Sequence, residues 1–348
     1  MEKSNIREAS LEEISSFLTS NGEKAFRAKQ IRQWIWQHGV SDFNEMSNLS
    51  KNTRELLRNH FYFDNLTPYL EQTASDGTVK TAWRLSDGEI VESVLIPGNQ
   101  KFTVCVSSQV GCQLGCKFCA TGTLGFKRNL SVGEIFEQVA NAKKAAESQG
   151  LTLSNIVFMG MGEPLLNYDN VMKAIERITA EDGLAMSPYR ITVSTAGIPA
   201  KIRQLADEGV RFNLAVSLHS AKEITRTSLM PVNKTYSLSE IAESLKYFVE
   251  KTGTRPTFEY LLLKDINDSL EDAKALALYC RQFPIKINII EYNNVNGSGF
   301  QHSPEKNRDE FVKYLENCNM VVHVRRSKGK DIDAACGQLA GRKTDRPE

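Results

Sequence analysis

The sequence contains no apolar run of about 18 residues and no segment with the pattern of a secretory leader. We therefore expect no membrane partner and a cytoplasmic location. In that reducing environment, the seven cysteines are expected to bind metal or to react rather than to form structural disulfides.

The chain also lacks an excess of either charge. It has 43 Lys and Arg against 42 Asp and Glu, a net charge of +1. This balance conceals local clusters of basic residues. Each cluster could contact phosphate groups or could be ordinary solvent-exposed surface. These groups are Lys24, Arg27, Lys29 and Arg32, then Lys127 and Arg128, then Arg325, Arg326, Lys328 and Lys330.

The 348 residues, 41% of them hydrophobic and 24% charged, are enough for one large domain and a smaller one. Helical periodicity occurs at about 10–19, 25–38 and 50–60, and a β-rich stretch follows over 67–97. We therefore divide the chain into an N-terminal helical accessory domain (1–62), a small β extension (63–100), a core (101–341) and a polar tail (342–348).

From residue 101 onward, strand and helix patterns alternate, which predicts an α/β fold with a parallel sheet. Ser131 with Glu134 and Ser237 with Glu240 have the spacing of capping boxes at two of the helix starts. The strands are predicted at 101–108, 154–160, 190–195, 212–218, 257–263, 286–292 and 320–326. The sheet could be open or closed into a barrel, and in both cases ligands bind beyond the carboxyl ends of the strands.

Polar and glycine residues occur at these strand ends. Each alone could be a turn or an unremarkable polar position, but together they indicate one binding face. They are Gly162 and Glu163, then Ser194, then Ser217, Leu218 and His219, and finally Asn293.

A cysteine run follows the first of these strands. Cys112, Cys116 and Cys119 have C-x3-C-x2-C spacing and supply three thiolates. A 4Fe–4S cluster held by three cysteines has one iron free to bind something other than protein, which indicates chemistry at the cluster. The alternative is a tetrahedral zinc site completed by Cys105.

These residues and their neighbours resemble a known family. The cysteine run is similar to the radical SAM signature, and four further stretches resemble the RlmN/Cfr family of radical SAM RNA methyltransferases: FRAKQIRQWIW at 26–36, MGMGEPLLN at 159–167, SLH at 217–219 and DIDAACGQL at 331–339. Pro164-Leu165-Leu166 and the cysteine loop are more similar to the adenine carbon-2 branch, RlmN, than to the carbon-8 branch, Cfr. The resemblance implies a partial (β/α)6 radical SAM barrel.

The resemblance also implies a mechanism. Two S-adenosylmethionine (SAM) molecules are used per turnover. The first methylates Cys336, and the second supplies a radical that activates this methyl group for addition to adenine. Cys105 then attacks Cys336 to form a transient disulfide, and Glu92 accepts the carbon-2 proton. From pattern alone, Cys105 could be a core cysteine and Glu92 an outward-facing strand residue.

The family's cofactors and partners are implied in the same way. Cys112, Cys116 and Cys119 would bind a 4Fe–4S cluster, and Gly162 with Glu163 would bind the amino group of SAM. Further contacts to SAM would come from Ser194, Ser217, Leu218, His219 and Asn293.

The implied partners are 23S rRNA, tRNA and an external flavodoxin-like one-electron donor, with the protein acting as a monomer. Trp34, Trp36 and Phe43 could serve RNA binding or a small helical core. Two other hypotheses are a Cfr-like carbon-8 methyltransferase and a zinc-stabilised RNA-binding protein without catalysis.

Overall fold

The structure is a computed structural model that describes residues 3–295 and 297–341. The polar tail expected at 342–348 lies outside the described residues. Among those that are described, no helix is both long and apolar enough to cross a membrane.

The helices agree closely with the sequence periodicity. They are α1 (Leu11–Ser20), α2 (Arg27–Arg32), α3 (Lys51–His60), α4 (Ala120–Thr123), α5 (Val132–Ser148), α6 (Tyr168–Thr179), α7 (Pro199–Asp207), α8 (Glu223–Leu229), α9 (Leu238–Thr252), α10 (Leu270–Cys280) and α11 (Glu305–Asn317). Both predicted capping boxes are present, at the starts of α5 and α9. The pattern at 25–38 proved to be α2 followed by a π-helical turn, Gln33–Gln37. The short helices α4 and α8 were not predicted.

The strands also follow the predicted order. They are β1 (Ser4–Asn5), β2 (Phe61–Tyr62), β3 (Thr67–Thr73), β4 (Val79–Arg84), β5 (Ile90–Gly98), β6 (Lys101–Cys105), β7 (Gln109–Gly111), β8 (Phe126–Asn129), β9 (Thr152–Phe158), β10 (Ile191–Thr195), β11 (Asn213–Ser217), β12 (Thr257–Leu262), β13 (Lys286–Glu291) and β14 (Val321–Arg325).

Within the described residues, ten strands form one sheet in the order β14-β13-β12-β11-β10-β9-β6-β5-β4-β3. The seven from β14 to β6 are parallel, and helices connect them. This arrangement confirms the predicted α/β class with a parallel sheet. The last three strands are antiparallel and extend the same sheet beyond β6. The β extension therefore continues the parallel sheet.

Alternation along the parallel strands separates a polar face from an apolar one, because successive side chains point to opposite sides of a sheet. In β12, Phe258 and Tyr260 are fully buried, whereas Glu259 between them lines a cavity. Glu259 pairs in register with Ser217 on one side and Asn288 on the other. The polar face is therefore the inner one, and the outer face packs beneath the helices.

The first parallel strand is shorter than the predicted 101–108. β6 ends at Cys105, and Ser108 then donates its backbone N–H to the carbonyl of Met161 (2.8 Å). Residues from Gln109 onward form a separate hairpin, in which β7 pairs with β8. Gly111 is required in that hairpin because its φ is +75° and a Cβ there would lie 1.8 Å from the carbonyl oxygen of Gly125.

The N-terminal helices share one continuous hydrophobic core with the barrel. Trp36 and Phe43 are buried in it, and Trp34 is half-buried with its indole N–H donated to Asn48 (2.6 Å). Arg7 and Glu137 form a buried ion pair across the junction (2.7 Å). Of the two roles open to the aromatic residues, core packing is the one observed.

Candidate active site

The predicted site residues meet at one cavity beyond the carboxyl ends of the parallel strands. The cavity occupies about 1000 Å³ including its open mouth. It is lined by many of the residues that the sequence singled out, namely Cys112, Cys116, Cys119, Gly162, Glu163, Ser194, Ser217, His219 and Cys336. Four others lie outside its lining, namely Cys105, Glu92, Leu218 and Asn293.

The cysteine loop is held in a tight conformation by backbone hydrogen bonds within the loop and to the end of α8. Cys119 donates its N–H to the carbonyl of Cys116 (3.2 Å), and Lys117 donates to Leu229 (3.0 Å). Gly122 packs so closely that a Cβ there would lie 2.8 Å from the carbonyl oxygen of Cys116. These contacts direct the three cysteine side chains of the run toward the cavity.

The cysteine set has the number of ligands that a 4Fe–4S cluster with one open iron uses. Cys112, Cys116 and Cys119 line the same cavity, and in such a cluster each cysteine binds a different iron. Burial raises the pKa of Cys112 to about 12 and also raises that of Cys116, so binding iron would have to displace these protons.

Glu163 is a buried carboxylate at the cavity wall. One oxygen accepts the N–H of Ala196 (2.7 Å) and the other that of Leu165 (3.0 Å). Desolvation nevertheless raises the pKa of Glu163 to about 7. Because a buried carboxylate gains from a cationic partner, the position suits the ammonium group of an amino acid.

His219 is buried and neutral. Its Nδ1 accepts the N–H of Leu261 (3.0 Å), so the ring proton is on Nε2. Burial, with a smaller contribution from Arg226, lowers the pKa of His219 to about 3. The ring packs edge-on against Phe118 with their centroids 4.7 Å apart. His219 is therefore a hydrogen-bond donor at neutral pH rather than a general base.

Leu218 and Asn293 contribute differently from the lining residues. Leu218 is fully buried, and its N–H is donated to the carbonyl of Glu259 (3.0 Å). Asn293 donates its amide to Ser327 Oγ (2.9 Å) and to the carbonyl of Cys336 (3.4 Å). Its Oδ1 is buried without a hydrogen-bond partner in the described part of the chain. Such an orphaned acceptor beside the Cys336 segment fits a ligand donor such as an amino group.

Cys336 and Cys105 are neighbours although they are far apart in sequence. Cys336 is exposed to the cavity but surrounded by protein, and burial raises the pKa of its thiol to about 12. Cys105 is buried, with its pKa also raised to about 12 by burial and, to a lesser degree, by the charge of Cys336. The thiol whose charge acts on Cys105 is that of Cys336, whereas Cys105 does not line the cavity with the cysteine run, which the zinc alternative required it to complete.

The segment that carries Cys336 is fixed to the cysteine loop. Ala120 donates its N–H to the carbonyl of Gly337 (2.7 Å), and Thr121 donates its hydroxyl to the carbonyl of Leu339 (2.6 Å). These bonds hold Cys336 at the wall that also carries the cysteine run.

Glu92 is buried on the inner face of β5, not outward. One carboxylate oxygen accepts the N–H of Ala340 (2.8 Å), four residues after Cys336. The other lies 3.9 Å from the ammonium of Lys80. The local pattern favoured an outward position for Glu92, and that prediction is wrong. Successive residues of β5 are buried because the sheet is covered on both sides there, so the pattern of polar and apolar residues does not distinguish the two faces.

Two site residues were not predicted. Glu259 lines the cavity, accepts a hydrogen bond from Asn288 (2.8 Å), and has its pKa raised by burial. A lone carboxylate within the apolar stretch TFEYLL was the available signal. Arg226 is fully buried and donates to the carbonyls of Ala196 (2.6 Å) and Leu218 (3.2 Å), tying together two strand ends. No sequence signal marked it.

Comparisons with known proteins agree with this geometry. The family model for the ribosomal RNA large subunit methyltransferase N-terminal domain matches residues 4–63, and that for the radical SAM superfamily matches 106–277. The probable dual-specificity RNA methyltransferase RlmN of Cytophaga hutchinsonii is 48% identical, over 98% of this chain and 93% of that protein. Its counterpart in Flavobacterium johnsoniae is 48% identical over 99% of both. A crystal structure of a radical SAM methyltransferase from Sphaerobacter thermophilus, 39% identical, superimposes with a TM-score of 0.93 over 97% of this chain and 99% of that one. The chain belongs to the RlmN family of radical SAM RNA methyltransferases.

Proposed function

We propose that this protein methylates carbon 2 of adenine in two RNAs: 23S rRNA, at the peptidyl transferase centre, and tRNA, at the adenosine 3′ of the anticodon. The observation that carries the proposal is the meeting of Cys336 and the three-cysteine run in the lining of one cavity, with Cys105 buried close enough for the charge of Cys336 to raise its pKa. Membership of the radical SAM superfamily implies SAM and an iron–sulfur cluster as cofactors.

The target atom explains why such cofactors are needed. Carbon 2 of adenine lies between two ring nitrogens and is too electron-poor to attack the methyl group of SAM. Cys112, Cys116 and Cys119 would hold a 4Fe–4S cluster, which would supply the electron that cleaves SAM to a 5′-deoxyadenosyl radical. Glu163 is placed to bind the ammonium of SAM, and the Nε2 proton of His219 is available to an acceptor on the same molecule.

Cys336 carries the transferred carbon. Its thiolate attacks the methyl group of a first SAM, so that a carbon–sulfur bond forms as the sulfonium bond breaks. That methyl would then lose a hydrogen atom to the radical derived from a second SAM, and the methylene radical so formed would add to carbon 2, which leaves one unpaired electron on the adduct. Two SAM molecules are therefore used per turnover.

Release of the product uses the second cysteine and a base. Glu92 accepts the carbon-2 proton, and the unpaired electron of the adduct would return to the oxidised cluster; the two losses together restore the aromatic ring. The thiolate of Cys105 attacks the sulfur of Cys336, and a disulfide forms as the carbon–sulfur bond to the RNA breaks. The released carbon keeps the electron pair of that bond and takes up a proton to become the methyl group. An external reductant then restores both thiols by exchange. The proximity of Cys105 to Cys336 supports this step.

RNA contacts are assigned to the accessory region. We propose that residues 1–62 act as an RNA-binding domain attached through 63–100 to the core at 101–341, using surface charge rather than its buried aromatic residues. Lys127 and Arg128 contribute little, because Glu89, Asp87 and Glu134 already pair with them. The protein is proposed to act as a cytoplasmic monomer with a flavodoxin-like electron donor.

The test is anaerobic turnover with methyl-labelled SAM on rRNA and tRNA fragments, with the methylated atom mapped by mass spectrometry. Wild type should methylate carbon 2, and Cys336→Ala should not. Cys280→Ala, which alters a buried core cysteine, is the matched control and should retain activity. Methyl at carbon 8 would instead identify a Cfr-like enzyme. No methylation by wild type with an intact cluster would contradict the proposal.

A further inference from the structure

The segment that carries Cys336 is anchored at both of its ends. At its start, Gly329 donates its N–H to Asp76 Oδ2 (3.0 Å), and Asp331 Oδ2 accepts the N–H of Ser75 (2.8 Å) in the turn between β3 and β4. At its end, the hydrogen bonds from α4 described above hold it to the cysteine loop. The conformation of the stretch between these anchors therefore decides where the Cys336 thiol lies.

Cys336 lies at the tip of a tight turn in that stretch. The backbone N–H of Gln338 is donated to the carbonyl of Ala335 (3.1 Å), which makes Cys336 and Gly337 the two central residues of a β-turn. Gly337 has a φ of +85°, which the third residue of a type II turn requires and which glycine adopts without strain. The direction of the thiol therefore depends on how the two flanks of this turn are held.

The side chain of Gln338 clamps the two flanks together. Its Oε1 accepts the N–H of Ala335 (3.2 Å), so Gln338 is bonded to both backbone polar groups of the residue before Cys336. Its Nε2 donates to the carbonyl of Asn294 (3.0 Å) and to Oδ1 of Asp333 (3.2 Å). A carboxamide carries an acceptor oxygen and two N–H donors, and this one uses all of them.

Asp333, one of these partners, has a backbone conformation that needs support. Its φ is +51°, in the left-handed region that Asp and Asn tolerate better than other residues with a side chain. Its carbonyl accepts from Lys80 Nζ (3.3 Å), and its carboxylate accepts from Gln338. Such a conformation persists only where surrounding contacts fix it. Gln338 therefore holds Asp333 and the Cys336 turn in one arrangement.

The bond to Asn294 joins the turn to the barrel. Asn294 belongs to the loop after β13, and its neighbour Asn293 donates to the carbonyl of Cys336 (3.4 Å). Asn293 is one of the residues expected to contact SAM. Gln338 thus fixes the thiol relative to the same loop that is expected to meet the cofactor.

We propose that Gln338 is a positioning residue that holds the Cys336 sulfur in line with the methyl group of the first SAM. The inference rests on the proposed function, in which the thiol proton leaves to water and the sulfur bonds to the methyl carbon as the sulfonium bond breaks. The electron pair of the broken bond stays on the sulfur of S-adenosylhomocysteine.

Alignment matters for this step more than for binding. The attacking sulfur must lie opposite the leaving sulfur, and a displacement of about 1 Å can cost about a hundredfold in rate. Gln338 does not line the active-site cavity, so SAM binding does not use its side chain. Loss of the clamp should therefore slow methyl transfer and leave SAM affinity unchanged.

Gln338→Glu tests the clamp with a side chain of the same size. The carboxylate still accepts from Ala335, but it lacks both donors and places a negative charge beside Asp333, where like charges repel. The cluster-containing full chain, with Cys336 unmethylated at the start, is mixed with methyl-labelled SAM without reductant or RNA. Mass spectrometry then follows the label on the Cys336 peptide.

The rate constant for methylation of Cys336 should fall by about tenfold or more in Gln338→Glu, while the dissociation constant for SAM stays within about twofold. A rate equal to that of wild type would overturn the inference and leave the proposed function intact. The same holds for a loss of SAM affinity as large as the loss of rate, because that result would indicate a structural role. If wild type itself does not label Cys336, the proposed function fails, and this inference fails with it.

A control and a rescue complete the test. Gln282→Glu also removes a donor to a backbone carbonyl (3.2 Å), at the end of α10 and outside the cavity lining, and should methylate at the wild-type rate. Adding Asp333→Asn to Gln338→Glu exchanges donor and acceptor across their contact, and asparagine tolerates the left-handed conformation. The double variant should recover about threefold or more in rate, as one restored hydrogen bond allows. A double variant as slow as Gln338→Glu would overturn the role of the Asp333 contact.

Discussion

Replacing Gly162 with alanine tests how tightly the backbone beside Glu163 is packed. The φ angle of Gly162 is +97°, where an L-residue is strained by about 1–3 kcal/mol. An added Cβ would lie 2.5 Å from Gln109 Cβ and 2.8 Å from its backbone nitrogen. Gln109 cannot simply move aside, because its amide accepts from Glu163 N–H (2.9 Å) and donates to Asn129 (2.9 Å).

The expected loss of stability is the sum of two contributions. Overpacking of this kind costs about 1–3 kcal/mol, so with the backbone strain Gly162→Ala should lower the free energy of unfolding by about 2–6 kcal/mol. Gly209→Ala is the matched control, because Gly209 also has positive φ (+62°) but open space around it. It should cost only about 1–2 kcal/mol.

Urea unfolding followed by tryptophan fluorescence compares the two variants under identical conditions. SAM affinity, measured on the cluster-containing protein, should fall in Gly162→Ala because the variant displaces Glu163, and it should be unchanged in Gly209→Ala. If the two substitutions lowered the free energy of unfolding equally, the reasoning would be refuted, because the close contact with Gln109 would then add nothing to the destabilisation.

Three further outcomes are expected. Glu163 has its pKa raised to about 7 by burial, so its favourable contribution to stability is present at low pH and is lost as pH rises from about 4.5 to 7. Wild type and Glu163→Gln are compared by urea unfolding of the iron-free protein. Between pH 5 and pH 8 the free energy of unfolding of wild type should fall by about 2–3 kcal/mol relative to that of the variant. A difference between the two proteins that does not change with pH would contradict this pKa. Cys105→Ala should still methylate Cys336 but accumulate a covalent RNA adduct on denaturing gels, and free methylated RNA at the wild-type rate would argue against its assigned role. Trp36→Ala should cost about 3–5 kcal/mol of stability while leaving RNA affinity unchanged below its unfolding temperature, since the ring packs in the core; weakened RNA binding by the folded variant would contradict that placement.

The strand and helix order of this protein follows from its sequence because both depend on near neighbours. Hydrophobic periodicity and capping boxes such as Ser131 with Glu134 involve residues a few positions apart, and the structure keeps them. The same holds for the spacing of Cys112, Cys116 and Cys119, which one short loop brings to the cavity.

Tertiary structure decided which distant residues meet. Strand pairing sets Cys105 and Glu92 on the inner face of one sheet, and the local pattern around Glu92 indicated the opposite direction. The approach of Cys336 to Cys105, the burial of Trp36 and the bond from Gln338 to the loop after β13 all depend on contacts between segments far apart in the chain. No local pattern encodes such contacts. Two residues on distant strands share a face of the sheet only if the register of every strand between them places both side chains on that face.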